Sequence, residues 1–113
     1  MIGIFLDDER NPEDVTWLNY QEDVEWYVVR RMADFLCCIY NMSEGDYIIS
    51  FDHDLQDFNL AGQENTGYDC LKSLVDFCLD TGVNLPVCFF HTQNPVGKEN
   101  MQSYYENAKK HLG

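Results

Sequence analysis

The chain is poor in basic residues and has no long apolar run, and both absences restrict what it can do. Lysine and arginine together number 7 against 20 aspartates and glutamates, which gives a formal net charge of -13 at pH 7. Because such a charge repels phosphate backbones, we expect no extended nucleic-acid-binding surface. No apolar segment approaches the length of a membrane span, and no basic region precedes an apolar run at the start. We therefore expect a cytoplasmic protein without a membrane partner.

Cysteine is present, but its spacing does not indicate a disulfide framework or a metal-binding pair. The five cysteines are an odd number and contain no C-x-x-C pair. They are Cys37, Cys38, Cys70, Cys78 and Cys88, and most of them stand where apolar residues belong. This usage indicates reduced core thiols, as in a cytosolic protein.

The length and the pattern of apolar residues predict one α/β domain. At 113 residues the chain fits a single domain, residues 1–113, with a real hydrophobic core. Short apolar runs predict buried strands at Ile2–Leu6, Trp26–Val29, Tyr47–Phe51 and Val87–Phe90. Strands that alternate with helices favour a parallel sheet with right-handed crossovers.

Three of the segments that follow these strands have apolar residues at helical spacing. The apolar stripes run over 32–39, 71–79 and 101–112. Thr66 stands where an N-cap would open the second helix, and Gly82 where a glycine would close it. The polar stretch 7–21 lacks a helical period, so we expect a loop that can act as an active-site flap, and 56–65 is a second long loop.

Charged and polar residues follow the strand ends, where open parallel sheets bind ligands. Asp7, Asp8, Glu9 and Arg10 follow the first strand; Asp52, His53 and Asp54 follow another; His91 and Asn94 follow the last. Clustered carboxylates repel unless a cation relieves them, and oxygen ligands without thiolates suit Mg²⁺ or Mn²⁺. We predict a divalent-cation site drawn from Asp7, Asp8, Asp52 and Asp54. The alternative is that these aspartates are solvated turn residues and helix caps.

Two histidines beside the acids are candidates for proton transfer. His91 and His53, together with Asp52, form the predicted catalytic set, although His53 alone is also compatible with a structural hydrogen-bonding role.

The stretch His91 to Asn100 has features of a phosphate site. Asn94-Pro95 predicts a turn, Gly97 permits close backbone approach, and the helix that follows offers outward amides. Lys98 would lie in the first turn, where its positive charge opposes the helix dipole, and a bound phosphate would relieve this opposition. The alternative is that Lys98 simply reaches into solvent. The predicted substrate-binding residues are Arg10, Thr66, Asn94, Gly97, Lys98 and Asn100. The alternative for Arg10 is an ion pair with Glu9 or Asp52. Tyr68, which lies near Thr66, either packs in the core or stacks on a base or ribose.

Four blocks of this sequence resemble one family. "LDDERNP" (Leu6 to Pro12), "SFDHDL" (Ser50 to Leu55), "TGYD" (Thr66 to Asp69) and "HTQNPVGKENM" (His91 to Met101) are similar to the signature blocks of cyclic-phosphate processing receiver-like domains, which are related to response-regulator receivers. The resemblance implies a three-layer, flavodoxin-like α/β sandwich, with a parallel sheet, helices on both faces, and a loop in place of the first receiver helix.

The resemblance also implies a function and a set of roles. It implies that the domain handles nucleotides or RNA ends that carry a cyclic phosphate, with Asp7 and Asp8 as the metal-binding acid pair and Asp52 as the central acid. Gln56 stands where the resemblance would place a glycine. The receiver lysine has no obvious match in this sequence, although Lys98 could take its place. We predict a metal-dependent phosphoesterase. The alternative is a non-catalytic receiver-like module that accepts a phosphoryl group on Asp52 or binds a nucleotide or protein partner.

Overall fold

A parallel sheet forms the centre of the molecule. The structure, a computed structural model, describes residues 1–42 and 45–112. In these ranges the central sheet contains β1 (Ile2–Leu6), β2 (Glu25–Val29), β3 (Tyr47–Phe51) and β6 (Val87–Phe90), and a separate hairpin contains β4 (Asp57–Phe58) and β5 (Glu64–Asn65). The central strands all run parallel in the order β2-β1-β3-β6. The predicted parallel α/β fold is therefore confirmed.

The helices begin and end at residues that local chemistry favours. They are α1 (Met32–Tyr40), α2 (Gly67–Thr81) and α3 (Pro95–Leu112). As predicted, Thr66 caps α2 by accepting a hydrogen bond from the Asp69 amide, and Gly82 ends it in the left-handed conformation. Helix α3 starts with a proline, whose missing N–H would have had no partner there in any case.

The hydrophobic core lies between one face of the sheet and the helices. Phe51 of β3 contacts Phe35 of α1 at 5.5 Å between ring centroids, and Phe90 of β6 contacts Tyr105 of α3 at 5.8 Å. Helix α2 lies between α1 and α3 and contacts both. Because Phe51 and Phe90 are register partners that point to the same side, α1, α2 and α3 all cover this face.

A loop covers the other face, and here the layers differ from the prediction of helices on both faces. The segment 7–24 contains only a 3₁₀ turn at Pro12–Asp14. Its Tyr20 ring fits between Trp26, at 4.9 Å, and Phe89, at 5.3 Å. Right-handed crossovers explain this arrangement. The chain moves from β1 to β2 in one direction along the sheet and then from β2 to β3 and β6 in the opposite direction, so the first connection lies on one face and the later ones on the other. The β1–β2 connection is thus alone on its face, and it is the one predicted to lack a helix.

The second predicted loop contains short regular structure. Strands β4 and β5 pair within it, and Gln56 just before them has a φ of 51°, in the left-handed region. That conformation accounts for the glycine that the resemblance would place at this position. In the described parts of the chain, no helix combines the length and apolarity that crossing a membrane requires.

Candidate functional site

Three predicted site residues lie side by side at the carboxyl edge of the sheet. Asp7, Asp52 and His91 each follow the last residue of a strand and continue its ladder. Their amides donate to the carbonyls of the neighbouring strand at 3.1, 2.9 and 3.1 Å. All three are buried, at 1%, 7% and 0% exposure, and they bring one ligand atom each to within 4.8 Å of the others. The predicted convergence of strand ends is therefore present.

The His91 side chain reaches across a strand to meet Asp7. Its Nε2 lies 2.9 Å from Asp7 Oδ2 although β3 separates the two strands, which are about 10 Å apart at the usual spacing. The ring passes over Ser50 of β3, whose Oγ lies 2.7 Å from His91 Nδ1, and stacks on Phe5 at 4.4 Å and 8°. The small side chain at position 50 gives the imidazole both room and a hydrogen bond.

The hydrogen bonds around His91 have a definite direction. Because an ionised carboxylate only accepts, Nε2 carries the proton that is shared with Asp7. The Tyr20 hydroxyl lies 2.6 Å from Ser50 Oγ, and Trp17 Nε1 donates to the His91 carbonyl at 3.0 Å. Ser50, His91 and Asp7 resemble a nucleophilic triad in composition, but Ser50 is 0% exposed beneath Tyr20, so it cannot meet a substrate.

Asp7 is held as an anion by this environment. Burial raises its pKa, but hydrogen bonds from His91 and from the amides of Arg10 and Glu9 outweigh that effect and lower the pKa to about 2. The guanidinium of Arg10 lies 3.8 Å from Asp7 Oδ2 and donates to Gln93 at 3.1 Å. Arg10 therefore pairs with Asp7, and the alternatives of Glu9 and Asp52 as its partner are wrong.

The environment of Asp52 shifts its pKa in the opposite direction, upward. Burial raises its pKa, and the charge of Asp7 raises it further, while hydrogen bonds from the His53 amide, at 2.8 Å, and from the Thr92 side chain act in the other direction. A second negative charge is thus costly beside Asp7. A cation between the two carboxylates would remove that cost.

The donor set fits a divalent cation that prefers oxygen ligands. Both backbone hydrogen bonds to Asp7, at 2.8 Å, end on Oδ1, so the lone pair left for a cation is on Oδ2, which His91 also contacts. Asp52 supplies the second carboxylate. Two carboxylate oxygens suit Mn²⁺ or Mg²⁺ in chemical type, while His91, whose two nitrogens contact Ser50 and Asp7, supports the Asp7 carboxylate. Among the described residues, neither Asp8 nor Asp54 belongs to this cluster, and burial together with the Asp7 charge raises the pKa of Asp8.

A second, more exposed group surrounds His53. Its Nδ1 lies 2.9 Å from Asp54 Oδ1, Asn94 Nδ2 donates to Asp54 Oδ2 at 3.2 Å, and the Gly97 amide donates to Asn94 Oδ1 at 3.1 Å. The hydrogen bond from His53 lowers the pKa of Asp54. Within the described ranges, His53 Nε2 has no hydrogen-bond partner, and the side chain is 19% exposed.

The other predicted substrate-binding residues lie around these two groups. The Thr66 hydroxyl is engaged with Asp69 in the cap of α2. Lys98 lies in the first turn of α3, as predicted, and lines a cavity of about 420 Å³ with Leu18 and Phe89 along the free side of β6. Asn100 is exposed on α3. Tyr68 packs against the core and contacts Tyr104 at 5.5 Å, which favours its core role.

Sequence reasoning missed the residues that hold the site in place. Ser50 was detectable as a polar residue in an apolar strand, where a buried hydroxyl needs a partner. Tyr20 gave no signal beyond being aromatic in a polar segment. Arg30 directly follows β2 and donates to the carbonyls of Asp7 and Arg10 and to the side chain of Asn11, so it fastens the start of the loop.

A parallel sheet with acids at its carboxyl edge and a loop in place of the first helix defines a receiver-like α/β domain. The family model described as the cyclic-phosphate processing receiver domain matches residues 2–107. The chain therefore belongs to this family, and the resemblance seen in its sequence is confirmed. No curated protein and no solved structure matches the chain.

Proposed function

We propose that the domain is a metal-dependent phosphoesterase that opens a cyclic phosphate on a nucleotide or an RNA end. The observation that carries the proposal is the pair of buried carboxylates, Asp7 and Asp52, together with the next residue, His53, whose amide donates to Asp52 and whose imidazole is oriented by Asp54. The family name points to cyclic-phosphate processing, and the chemistry of these residues supports a hydrolytic form of it.

Each side chain has a role in this mechanism. A divalent cation held by Asp7 and Asp52 would supply charge stabilisation at the phosphoryl oxygens and activation of water. His53 exchanges the proton at Nε2 with the attacking water or the leaving oxygen, while Asp54 fixes the ring through Nδ1. Arg10, at the rim of the site, binds the phosphate.

Burial decides which histidine meets the substrate in this proposal. His91 is 0% exposed and uses both nitrogens on Ser50 and Asp7, whereas His53 is partly exposed with Nε2 available. We therefore assign proton transfer to His53 and the support of Asp7 to His91. Direct proton transfer by His91 stays a prediction made from the sequence alone.

Turnover of 2′,3′-cyclic AMP with Mn²⁺ or Mg²⁺, followed by ³¹P NMR, tests the proposal. His53→Ala should lower turnover by about a hundredfold or more, the usual scale for a general acid or base. His111→Ala is the matched control, since this exposed histidine lies in the last turn of α3. If wild-type protein binds cyclic nucleotides without turning any of them over, or if acetyl phosphate modifies Asp52, the enzymatic proposal gives way to a binding or phospho-accepting module.

A further inference from the structure

His53 belongs to a closed ring of contacts that ends on its own imidazole. The ring runs from His53 to Asp54, from Asp54 to Asn94, and from Asn94 to the amide of Gly97. It closes because the His53 ring lies directly on Gly97. A Cβ added at Gly97 would lie 2.5 Å from His53 Cγ and 2.6 Å from Cδ2, closer than real Cβ atoms approach other atoms.

We propose that Asn94 and Gly97 are positioning residues for the His53 imidazole and do not contact the substrate. The inference rests on the proposed function, in which His53 moves the proton. It changes the role that the sequence suggested for both residues, since their positions after a strand and at a helix start predicted contact with phosphate.

The surroundings of Gly97 indicate why this position is a glycine. Alanine is the better helix former, so a glycine in the first turn of α3 needs a reason. Its backbone does not require it, because no left-handed φ occurs at this position. A glycine kept for the approach of a ligand would face open space, whereas this one faces the histidine ring. Its amide is also already engaged, by Asn94 Oδ1.

The two ends of the Asn94 amide explain why this residue type suits the position. Oδ1 accepts from Gly97 and so satisfies a free amide at the helix start, while Nδ2 donates to Asp54. Both Asp54 oxygens are thereby engaged, one by Asn94 and one by His53. Asparagine supplies the acceptor and the donor in one side chain, whereas aspartate would supply only acceptors.

Two substitutions separate this role from a purely structural one. Gly97→Ala should displace the His53 ring, since its Cβ would lie 2.5 Å from His53 Cγ, and the better helix propensity of alanine should offset part of the resulting loss of stability. Asn94→Asp should keep the acceptor for the Gly97 amide but place a second carboxylate against Asp54. Val96→Ala is the matched control, since Val96 is exposed in the same turn of α3.

The measurements are the melting temperature, the ring NMR signals of His53 in metal-free protein, and the turnover of 2′,3′-cyclic AMP with Mn²⁺. The chain has 3 histidines, so His53→Ala assigns the ring signals directly. We expect both variants to shift the His53 signals and to lower turnover by roughly tenfold to a hundredfold, as misplacement by about 1 Å can do. Val96→Ala should change neither.

Unchanged His53 signals in both folded variants would overturn the inference, and reduced turnover without a signal shift would place Asn94 and Gly97 at the substrate instead. The ring signals do not depend on turnover. If wild-type protein leaves the cyclic nucleotide intact, the proposed function fails, while shifted His53 signals still support the positioning role.

Discussion

Asp7 and Asp52 are adjacent buried aspartates, and we expect their removal to change stability in opposite directions. Asp7 has its pKa lowered from 3.8 to about 2. At about 1.4 kcal/mol per pKa unit, the ionised side chain stabilises the folded state by roughly 2.5 kcal/mol at neutral pH. Asp7→Asn loses this contribution and also turns an amide toward the His91 N–H. We therefore expect the free energy of unfolding to fall by about 2 kcal/mol or more.

Asp52→Asn should stabilise the metal-free protein. The pKa of Asp52 is raised by burial and by the charge of Asp7, so its ionised form opposes folding at pH values above its folded pKa. An amide of the same shape carries no charge and removes this cost. Metal changes the outcome, because Mn²⁺ at a hundred times its dissociation constant should add about 2.7 kcal/mol to wild-type protein and less to either variant.

Urea unfolding followed by tryptophan fluorescence, with EDTA at pH 7, measures both effects. The pH dependence has a definite sign. The Asp7 contribution is complete above about pH 4 and is lost as the pH falls toward 2, whereas protonation of Asp52 in the folded state relieves its cost as the pH falls. Equal destabilisation by both substitutions, or a neutral Asp7→Asn, would refute the electrostatic reasoning.

Three further predictions concern the backbone and the thiols. Gln56→Gly should raise the free energy of unfolding by roughly 0.5 to 1 kcal/mol, because glycine adopts the φ of 51° without strain; an unchanged urea midpoint would contradict this. Gly67→Ala should lower stability by about 2 kcal/mol or more, since its Cβ would lie 1.7 Å from the Asp52 carbonyl oxygen, and a wild-type thermal melt would show the reasoning to be wrong. A thiol reagent should modify exposed Cys37 in native protein. It should modify Cys70 and Cys78 only after unfolding, because burial raises their pKa to about 12 and about 11. Equal modification rates for the three thiols would argue against this burial.

The sheet was predictable from the sequence because its central strands, β1 and β3, are buried on both faces and are almost wholly apolar, and because the edge strands also contain short apolar runs. The same rule located the site, since Asp7, Asp52 and His91 are the first polar residues after such runs. The thiols were predictable only in part. Cys70 and Cys78 are buried as predicted, but Cys37 is exposed on α1, because one helical stripe cannot turn two consecutive cysteines toward the core.

The contacts within the site could not be predicted, because they depend on distances across the fold. The reach of His91 to Asp7 needs a small residue on the strand between them. Ser50 is visible as a polar residue in an apolar run, but only the strand order places it between His91 and Asp7. The hairpin of β4 and β5 has strands of two residues each, too short for any periodicity, and its base is fixed by the Asp57 carboxylate, which accepts from the amide of Met32.

The missing first helix and the buried imidazole are connected through the geometry of the sheet. Asp7, Asp52 and His91 follow Leu6, Phe51 and Phe90, which point into the helical core, so side-chain alternation turns the three polar residues toward the opposite face.

A helix on that opposite face would bring an apolar stripe against Phe5 and Ser50, and it would leave His91 with fewer polar partners in a buried place. The loop instead supplies the Tyr20 hydroxyl to Ser50 and the Trp17 N–H to the His91 carbonyl. The loop that replaces the helix is thus what allows an imidazole to be buried beside the acid pair, and that imidazole, together with the amides of Arg10 and Glu9, lowers the pKa of Asp7.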